Sequence, residues 1–477
     1  MRILISGALR VSHTILSRIA CIFLPHFFFS KKGILRLLFL NVRGKRNRTG
    51  LFLDLDGTLW KNLGPGGIFL YSEESSNFPK LSHDFRSKFD FTFAISNQTF
   101  FSYQSHLDIR QILQYRRVLR KVMSEFQIDA MAICHHHPLS SNSIFKRNCR
   151  YRKPSSAGIN YISNLFGIEK QKSVLIGDRI TDIMAGNCAS ISTNLLICNS
   201  NAMEINKLNE SFNFADSYTF KLIESLSEAV SSSCKSDLTV LILSAGIGSR
   251  LRPITLTTPK PLILLRKDVS ILSRLVGQIN DLFPNSRMLI NFSYLSQSFI
   301  NHKPLVPYLK KIDFSWEWKM LGGEETLRKA FRDFQNDYLV IHGDLFLSRK
   351  DLQELKESME FPSQASIMAC HYRSIKDARS HVEVDGSLVR SFLEGRTETF
   401  ETDTPILVNS GIYFFKKEDL TDYFNSEKSV HSELTKGIIP HLVKNKKLQF
   451  LNWSSDRIAI DSLESLEIAR HRIFHSI

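Results

Sequence analysis

Short apolar runs that end in polar or acidic residues recur from Leu51 onward: LFLDLD, FTFAIS, DAMAIC and SVLIGD. Runs of this length predict strands. Between them lie longer segments with apolar residues three and four apart, most plainly LDIRQILQYRRVLRKVMSEF, and these predict helices. Strands alternating with helices imply an α/β fold built on a parallel, doubly wound sheet. In such a sheet the polar groups at the carboxyl ends of the strands converge on one crevice, where ligands bind. The pattern lapses at SLSEAVSSSCKSD (225–237), which is small and polar and predicts a linker. LTVLILSAG then opens a second alternating series. Four parts follow: an N-terminal extension over 1–48, a domain over 49–225, a linker over 226–236 and a second domain over 237–477, with no internal repeat.

Composition changes this picture little. A chain of 477 residues exceeds one ordinary core, and 43% hydrophobic with 23% charged residues is usual for a globular protein. The net charge of +15 is concentrated at one end: residues 1–53 hold ten Lys or Arg and no acid, leaving about +5 for the rest. That remainder suits an enzyme of phosphorylated substrates and shows no organised basic motif for nucleic acid. Seven unevenly scattered cysteines argue for a reducing, cytoplasmic setting rather than a disulfide framework. In the extension, IACIFLPHFFF is too short for a membrane span and is interrupted by Pro25 and His26. We expect a variable extension there, with targeting or peripheral membrane binding as the alternatives.

The chemistry begins at Asp54 and Asp56, which share one face of a strand end before Gly57 and Thr58 turn the chain. Two carboxylates placed so suit a nucleophile with its own acid/base, or a hard divalent cation; a capped turn is the structural alternative. Three further stretches follow in order: Ser96 and Asn97 at the next strand end, Arg152 and Lys153 in YRKP, and Asp178 and Asp182 in VLIGDRITD. Together they resemble the haloacid dehalogenase superfamily of phosphohydrolases. The resemblance implies that Asp54 attacks phosphorus and Asp56 carries the proton. It implies Mg²⁺ on Asp54, the Asp56 carbonyl and Asp178, Lys153 offsetting phosphoryl charge, and Ser96, Asn97 and Arg152 on the substrate. CHHHP followed by NCRYRKP is similar to the zinc loop of the heptose-bisphosphate and histidinol-phosphate phosphatases. Cys134, His136 and Cys149 match three of its Zn²⁺ ligands; the fourth position holds Tyr151, a poor ligand for structural zinc. His135 or His137 is the substitute within the loop, and a metal-free loop is the alternative.

The second series carries SAGIGSRLRPITLTTPKPL. Gly246 and Gly248 let backbone amides approach phosphates, and Arg250 and Lys260 add positive charge. This is no Walker A loop, since Gly-Lys-Ser/Thr is missing. The string resembles the opening signature of sugar-1-phosphate nucleotidyltransferases. The resemblance extends to Asp344 and Asp461 as Mg²⁺ ligands, Glu394 as a sugar contact and Asn409 on the substrate side. Departures occur at Gly323, at Gly395 and after Asp461, where Ser-Leu-Glu replaces the usual Gly-Thr-Pro. Two Rossmann-like domains are thus expected, the first haloacid dehalogenase-like and the second a nucleotidyltransferase-like mixed sheet. Removing the 7-phosphate of D-glycero-D-manno-heptose 1,7-bisphosphate would leave the 1-phosphate that a guanylyltransferase-like partner joins to GTP. A nucleotide-activated heptose of the lipopolysaccharide type is the expected product. The alternatives are another sugar phosphate, or a transferase domain kept only for regulation.

Overall fold

A computed structural model describes residues 26–36, 47–59, 83–104, 108–197, 217–223, 236–360, 365–374, 378–395, 405–426, 431–453 and 457–474. The remainder of the 1–48 extension and all but Ser236 of the expected linker lie outside the described residues. The chain divides into two compact units, Met1–Ser231 and Ser232–Ile477.

In the first unit the strands are β1 (Phe27–Phe29), β2 (Gly50–Leu53), β3 (Phe91–Asn97), β4 (Ala130–Cys134), β5 (Val174–Gly177), β6 (Thr193–Ile197) and β7 (Ser217–Ile223). They run in the order β1-β4-β3-β2-β5-β6-β7. From β4 to β7 neighbouring strands are parallel. β1 alone among them is antiparallel, pairing Phe27 with Ala132 and Phe29 with Ala130. Helix α1 (Ile109–Glu125) starts on Asp108, whose carboxylate accepts from Arg110 N at 2.8 Å. Its buried face is Ile112, Tyr115, Leu119, Val122 and Met123, the three-and-four spacing that the sequence displays. That face packs with Leu51, Leu53, Met131 and Ile133 of the sheet. Helices α2 (Ala157–Phe166) and α3 (Ile180–Cys188) supply two further crossovers.

Part of the extension is built into this sheet. The Phe27–Phe29 run joins the sheet edge, and Ser30 N donates to the Asp129 carbonyl at 3.0 Å. Arg36 pairs with the buried Asp129 carboxylate at 3.0 Å, so the chain beyond the strand is fastened too.

The second unit is built on β8 (Leu238–Leu243), β9 (Arg287–Phe292), β10 (Ile312–Glu317), β11 (Asp337–His342), β12 (Ser366–Arg373), β13 (Ser380–Asp385), β14 (Leu388–Glu394), β15 (Ile406–Phe415) and β16 (Leu448–Asn452). Their order is β10-β9-β8-β11-β15-β12-β16-β14-β13. The β10-β9-β8-β11 stretch is parallel, and β15 enters antiparallel to both β11 and β12, so the sheet is mixed. Helix α4 (Ile271–Leu282) and helix α5 (Gly323–Asp333) are among its crossovers. A two-stranded ribbon, Leu345–Phe346 against Ile458–Ala459, ties the segment after β11 to the C-terminal region.

Candidate active sites

In the first unit, β2 carries the chain straight into Asp54, and Asp54 N donates to the Ile176 carbonyl of β5 at 2.9 Å. The loops after β4 and β5 bring Lys153 and Asp178, and the first turn of α3 brings Asp182, to the same end of the sheet. Lys153 Nζ donates to Asp54 Oδ1 at 2.6 Å and to the Ile95 carbonyl at 2.9 Å, and it also pairs with Asp182. All four side chains are buried. Burial alone would lower the Lys153 ammonium, but Asp182 and Asp54 hold it above its ordinary value. Burial, together with repulsion from Asp54 and Asp182, pushes the Asp178 carboxyl up to about 8. Burial likewise raises Asp182, to about 6, against the pull of Lys153.

Asp54, Asp178 and Asp182 offer oxygens within 4.8 Å of one another. Three buried carboxylates gathered around Lys153 form a donor set that fits a hard cation such as Mg²⁺. Asp56 is half-buried and accepts from Gln98 Nε2, which also donates to Ser96 Oγ at 3.0 Å. Gln98 was not anticipated from the sequence, although it directly follows the Ser-Asn pair. Asn97 ends β3 beside the Lys153 peptide. Its side-chain amide exchanges two hydrogen bonds with the Lys153 backbone, at 3.0 and 3.1 Å, because both of its polar atoms fit that peptide's donor and acceptor. Arg152 is buried, and its Nη1 donates to the His136 carbonyl at 3.0 Å, linking it to the cysteine–histidine loop.

That loop brings together Cys134, His136 and Cys149, the three residues that the resemblance pairs, with His26 beside them. Neither expected substitute within the loop takes part. The His135 ring is fully buried against Phe101 and Tyr115, and its Nδ1 contacts the Gln98 carbonyl at 3.3 Å. His137 Nδ1 accepts from Leu139 N at 3.2 Å.

In the second unit, the glycine-rich turn after β8 lines a cavity of about 590 Å³. Gly246, Gly248, Arg250, Lys260, Asp344, Glu394, Asn409 and Asp461, every residue anticipated for this half, border it. Gly248 lies at φ +67°, and a Cβ there would fall 2.9 Å from Lys260 Cβ. Lys260 Nζ donates to Asp344 Oδ2 at 2.6 Å and Asp461 Oδ1 at 2.7 Å, while Arg250 Nη1 lies 3.3 Å from Asp461 Oδ2. Partial burial would raise the Asp461 carboxyl, but Lys260, Arg250 and Arg379 hold it below its ordinary value. The short ribbon is what brings these distant aspartates together, with Ile460 N donating to the Asp344 carbonyl at 3.1 Å. Two aspartates joined through Lys260 at the edge of this cavity are a carboxylate pair that would suit a divalent cation. Glu394 accepts from Thr435 Oγ1 at 2.6 Å, and Asn409 Nδ2 donates to Tyr413 Oη at 2.6 Å.

Sequence reasoning missed two supporting groups. Ser244 N donates to Asn291 Oδ1 at 2.6 Å, and Asn291 Nδ2 donates to Glu317 Oε1 at 2.7 Å. Glu317 also accepts from Thr326 Oγ1 and Leu321 N, so this buried carboxylate anchors both the glycine turn and the start of α5. Arg457 borders the cavity as well, and burial lowers its guanidinium to about 10. It donates to His371 Nε2 at 3.2 Å, which places the proton of that ring on Nδ1, facing Ser410 Oγ at 2.9 Å. No string around Arg457 marks it, because its place is set by the ribbon.

Two family models match separate stretches of this chain. Residues 150–207 match one described as HAD-hydrolase-like, and residues 239–455 match one described as nucleotidyl transferase. The chain thus carries a stretch similar to HAD hydrolases ahead of a longer stretch similar to nucleotidyl transferases. Its particular likenesses fall into the same two groups. It is 28% identical over 158 residues to D-glycero-beta-D-manno-heptose-1,7-bisphosphate 7-phosphatase of Yersinia pestis, covering 31% of this chain and 79% of the relative. Against D-glycero-alpha-D-manno-heptose-1,7-bisphosphate 7-phosphatase of Burkholderia mallei it is 35% identical over 78 residues, 16% of this chain and 41% of the relative. It is 26% identical over 214 residues to bifunctional protein GlmU of Methanocaldococcus jannaschii, 44% of this chain and 48% of the relative. The chain thus spans less than half the length of the last two. No described helix is long and apolar enough to cross a membrane.

Proposed function

We propose that the chain is a bifunctional enzyme that dephosphorylates a sugar bisphosphate and transfers a nucleotidyl group to the resulting sugar 1-phosphate. The observation that carries this reading is that two complete phosphate-handling constellations occur in one chain. Lys153 lies on Asp54 beside Asp178, and Lys260 lies between Asp344 and Asp461. In the first, Asp54 attacks phosphorus and forms an aspartyl-phosphate, while Asp56 protonates the leaving oxygen. Asp56 then takes a proton from the water that cleaves the acyl-phosphate, restoring Asp54. Gln98 orients Asp56, and Asn97 positions Lys153 through its backbone. A bound Mg²⁺ would offset the charge of the phosphoryl oxygens facing this anionic nucleophile.

In the second unit, an oxygen of the sugar 1-phosphate attacks the α-phosphorus of a nucleoside triphosphate in line, and pyrophosphate leaves. Arg250 and Lys260 offset the charge on the leaving group, and backbone amides at Gly246 and Gly248 cradle it. Asp344 and Asp461 would hold the Mg²⁺ that neutralises the phosphates.

The relatives' names support heptose as the sugar, with D-glycero-D-manno-heptose 1,7-bisphosphate losing its 7-phosphate; GTP is the proposed nucleotide. A reducing, cytoplasmic setting fits four described cysteines that are all free. The test incubates purified protein and Mg²⁺ with sugar phosphates and each nucleoside triphosphate, following phosphate and pyrophosphate separately. Phosphate release from the heptose bisphosphate, and pyrophosphate release that requires both the 1-phosphate and GTP, are expected. Equal turnover of hexose phosphates would overturn the sugar, and equal use of other triphosphates the base.

A further inference from the structure

The sequence leaves the cysteine–histidine loop one ligand short, because Tyr151 stands where the resembling phosphatases carry a cysteine. Tyr151 has taken another role. Its ring lies 4.9 Å from that of His26 and 5.2 Å from that of Phe27, and Arg150 covers it at 4.7 Å. It walls the site without offering a donor suited to zinc.

A fourth donor atom stands beside the loop, on His26. Because β1 runs antiparallel to β4 with Phe27 opposite Ala132, His26 falls opposite Ile133, one residue before Cys134. Two bonds hold it there: Ile133 N donates to the His26 carbonyl at 2.7 Å, and His26 Nδ1 lies 3.0 Å from the Ile133 carbonyl. The second bond requires the proton on Nδ1, which leaves the Nε2 lone pair free, and Nε2 lies 3.7 Å from Cys149 Sγ. Across the cluster, Cys134 Sγ lies 3.9 Å from His136 Nδ1. All four donor atoms fall within 4.8 Å of one another.

A tetrahedral zinc with bonds of about 2.0–2.3 Å has ligand-to-ligand edges of roughly 3.3–3.8 Å. The 3.7 and 3.9 Å spacings lie at or just above those edges, and the remaining ones stay within 4.8 Å, so a small inward shift of the donors would close the tetrahedron. Two thiols and two imidazoles are a donor set typical of structural zinc, and a histidine ligand whose other nitrogen is bonded to a carbonyl is its usual form. We propose that His26, Cys134, His136 and Cys149 form a single zinc site, in which the N-terminal strand supplies the ligand that position 151 lacks. The site clips the start of the described chain to the catalytic unit. His136, one of its ligands, passes its carbonyl to Arg152, next to Lys153.

Metal content of the reduced full-length protein tests this, together with competition against a chelator and the visible spectrum after Co²⁺ substitution. One zinc per chain and a tetrahedral Co²⁺ spectrum are expected. His26→Ala should lose affinity by at least about 100-fold, whereas His135→Ala, His137→Ala and Tyr151→Phe should keep it. Adding Tyr151→Cys to His26→Ala should restore binding, with stronger thiolate-to-cobalt absorption from the third sulfur. If His26→Ala does not fold by circular dichroism, His26→Cys decides: retained zinc with a three-thiolate spectrum supports the site. Three results would each overturn it: unchanged affinity in His26→Ala, loss of metal in folded His135→Ala or His137→Ala, or no zinc taken up by the reduced wild-type chain.

Discussion

At Gly57 φ is +83°, and a Cβ would fall 2.1 Å from Asp178 Oδ2. The glycine after the two aspartates therefore does more than turn the chain: its missing side chain is the space that lets the carboxylate from β5 approach Asp54. Gly57→Ala should lower phosphate release by at least about tenfold through the combined clash and backbone strain, with pyrophosphate release unchanged as the internal control. Lys153→Met should be more severe, abolishing phosphate release and destabilising its unit by about 3–5 kcal/mol in urea titrations, because it strands buried carboxylates without their cation. These carboxylates also set a pH dependence. Between about pH 4 and 8 the folded chain keeps on Asp178 a proton that the unfolded chain has released, and Asp182 adds to this up to about 6. The metal-depleted protein should consequently lose stability as pH rises through that window. Mg²⁺ should raise the thermal midpoint more at pH 8.5 than at pH 5, and Asp178→Asn should shrink that difference. The type and order of these residues were legible in the sequence. The orientation of Asn97 was not, since an amide at a strand end reads alike whether it faces a ligand or a neighbouring peptide.

At the scale of elements, periodic segments were legible wherever their own side chains form the buried face. α1 and the strands β2 to β5 follow the apolar pattern closely because each contributes directly to the sheet core. Elements fixed by partners distant in sequence escaped. β1 is three phenylalanines long, and nothing within it marks a partner about a hundred residues away. The Leu345–Phe346 ribbon is shorter still, yet it determines where Asp461 lies. Local capping carries weight at α4, where Ser270 and Ser273 satisfy each other's backbone amides and His302 Nε2 meets Ser270 Oγ at 2.9 Å. Ser270→Ala should cost about 1–2 kcal/mol in urea denaturation, and Ser270→Gly less.

For the molecule as a whole, two units with separate cores and separate charged centres imply two activities that can be silenced one at a time. Asp54→Asn should abolish phosphate release and leave pyrophosphate release within about twofold, and Asp344→Ala should do the converse; effects of sites with no shared partners are independent. Loss of both activities in either variant would mean that the reactions are coupled. The α/β class and the division into two halves were readable because strand–helix alternation restarts after a polar stretch. The role of residues 26–36 was not. Their charge and short apolar run describe composition, whereas their function depends on an edge that exists only once β4 has formed.

That edge has a practical bearing. Among the described residues β1 is what covers β4, a fully buried strand of Ala, Met, Ala, Ile and Cys. A chain shortened to begin at Thr49, where the repeating pattern starts, would leave a row of unpaired amides and carbonyls along this apolar strand. Exposed edges of that kind recruit other chains. Such a fragment should aggregate during expression, whereas one beginning a few residues before His26 should stay dispersed.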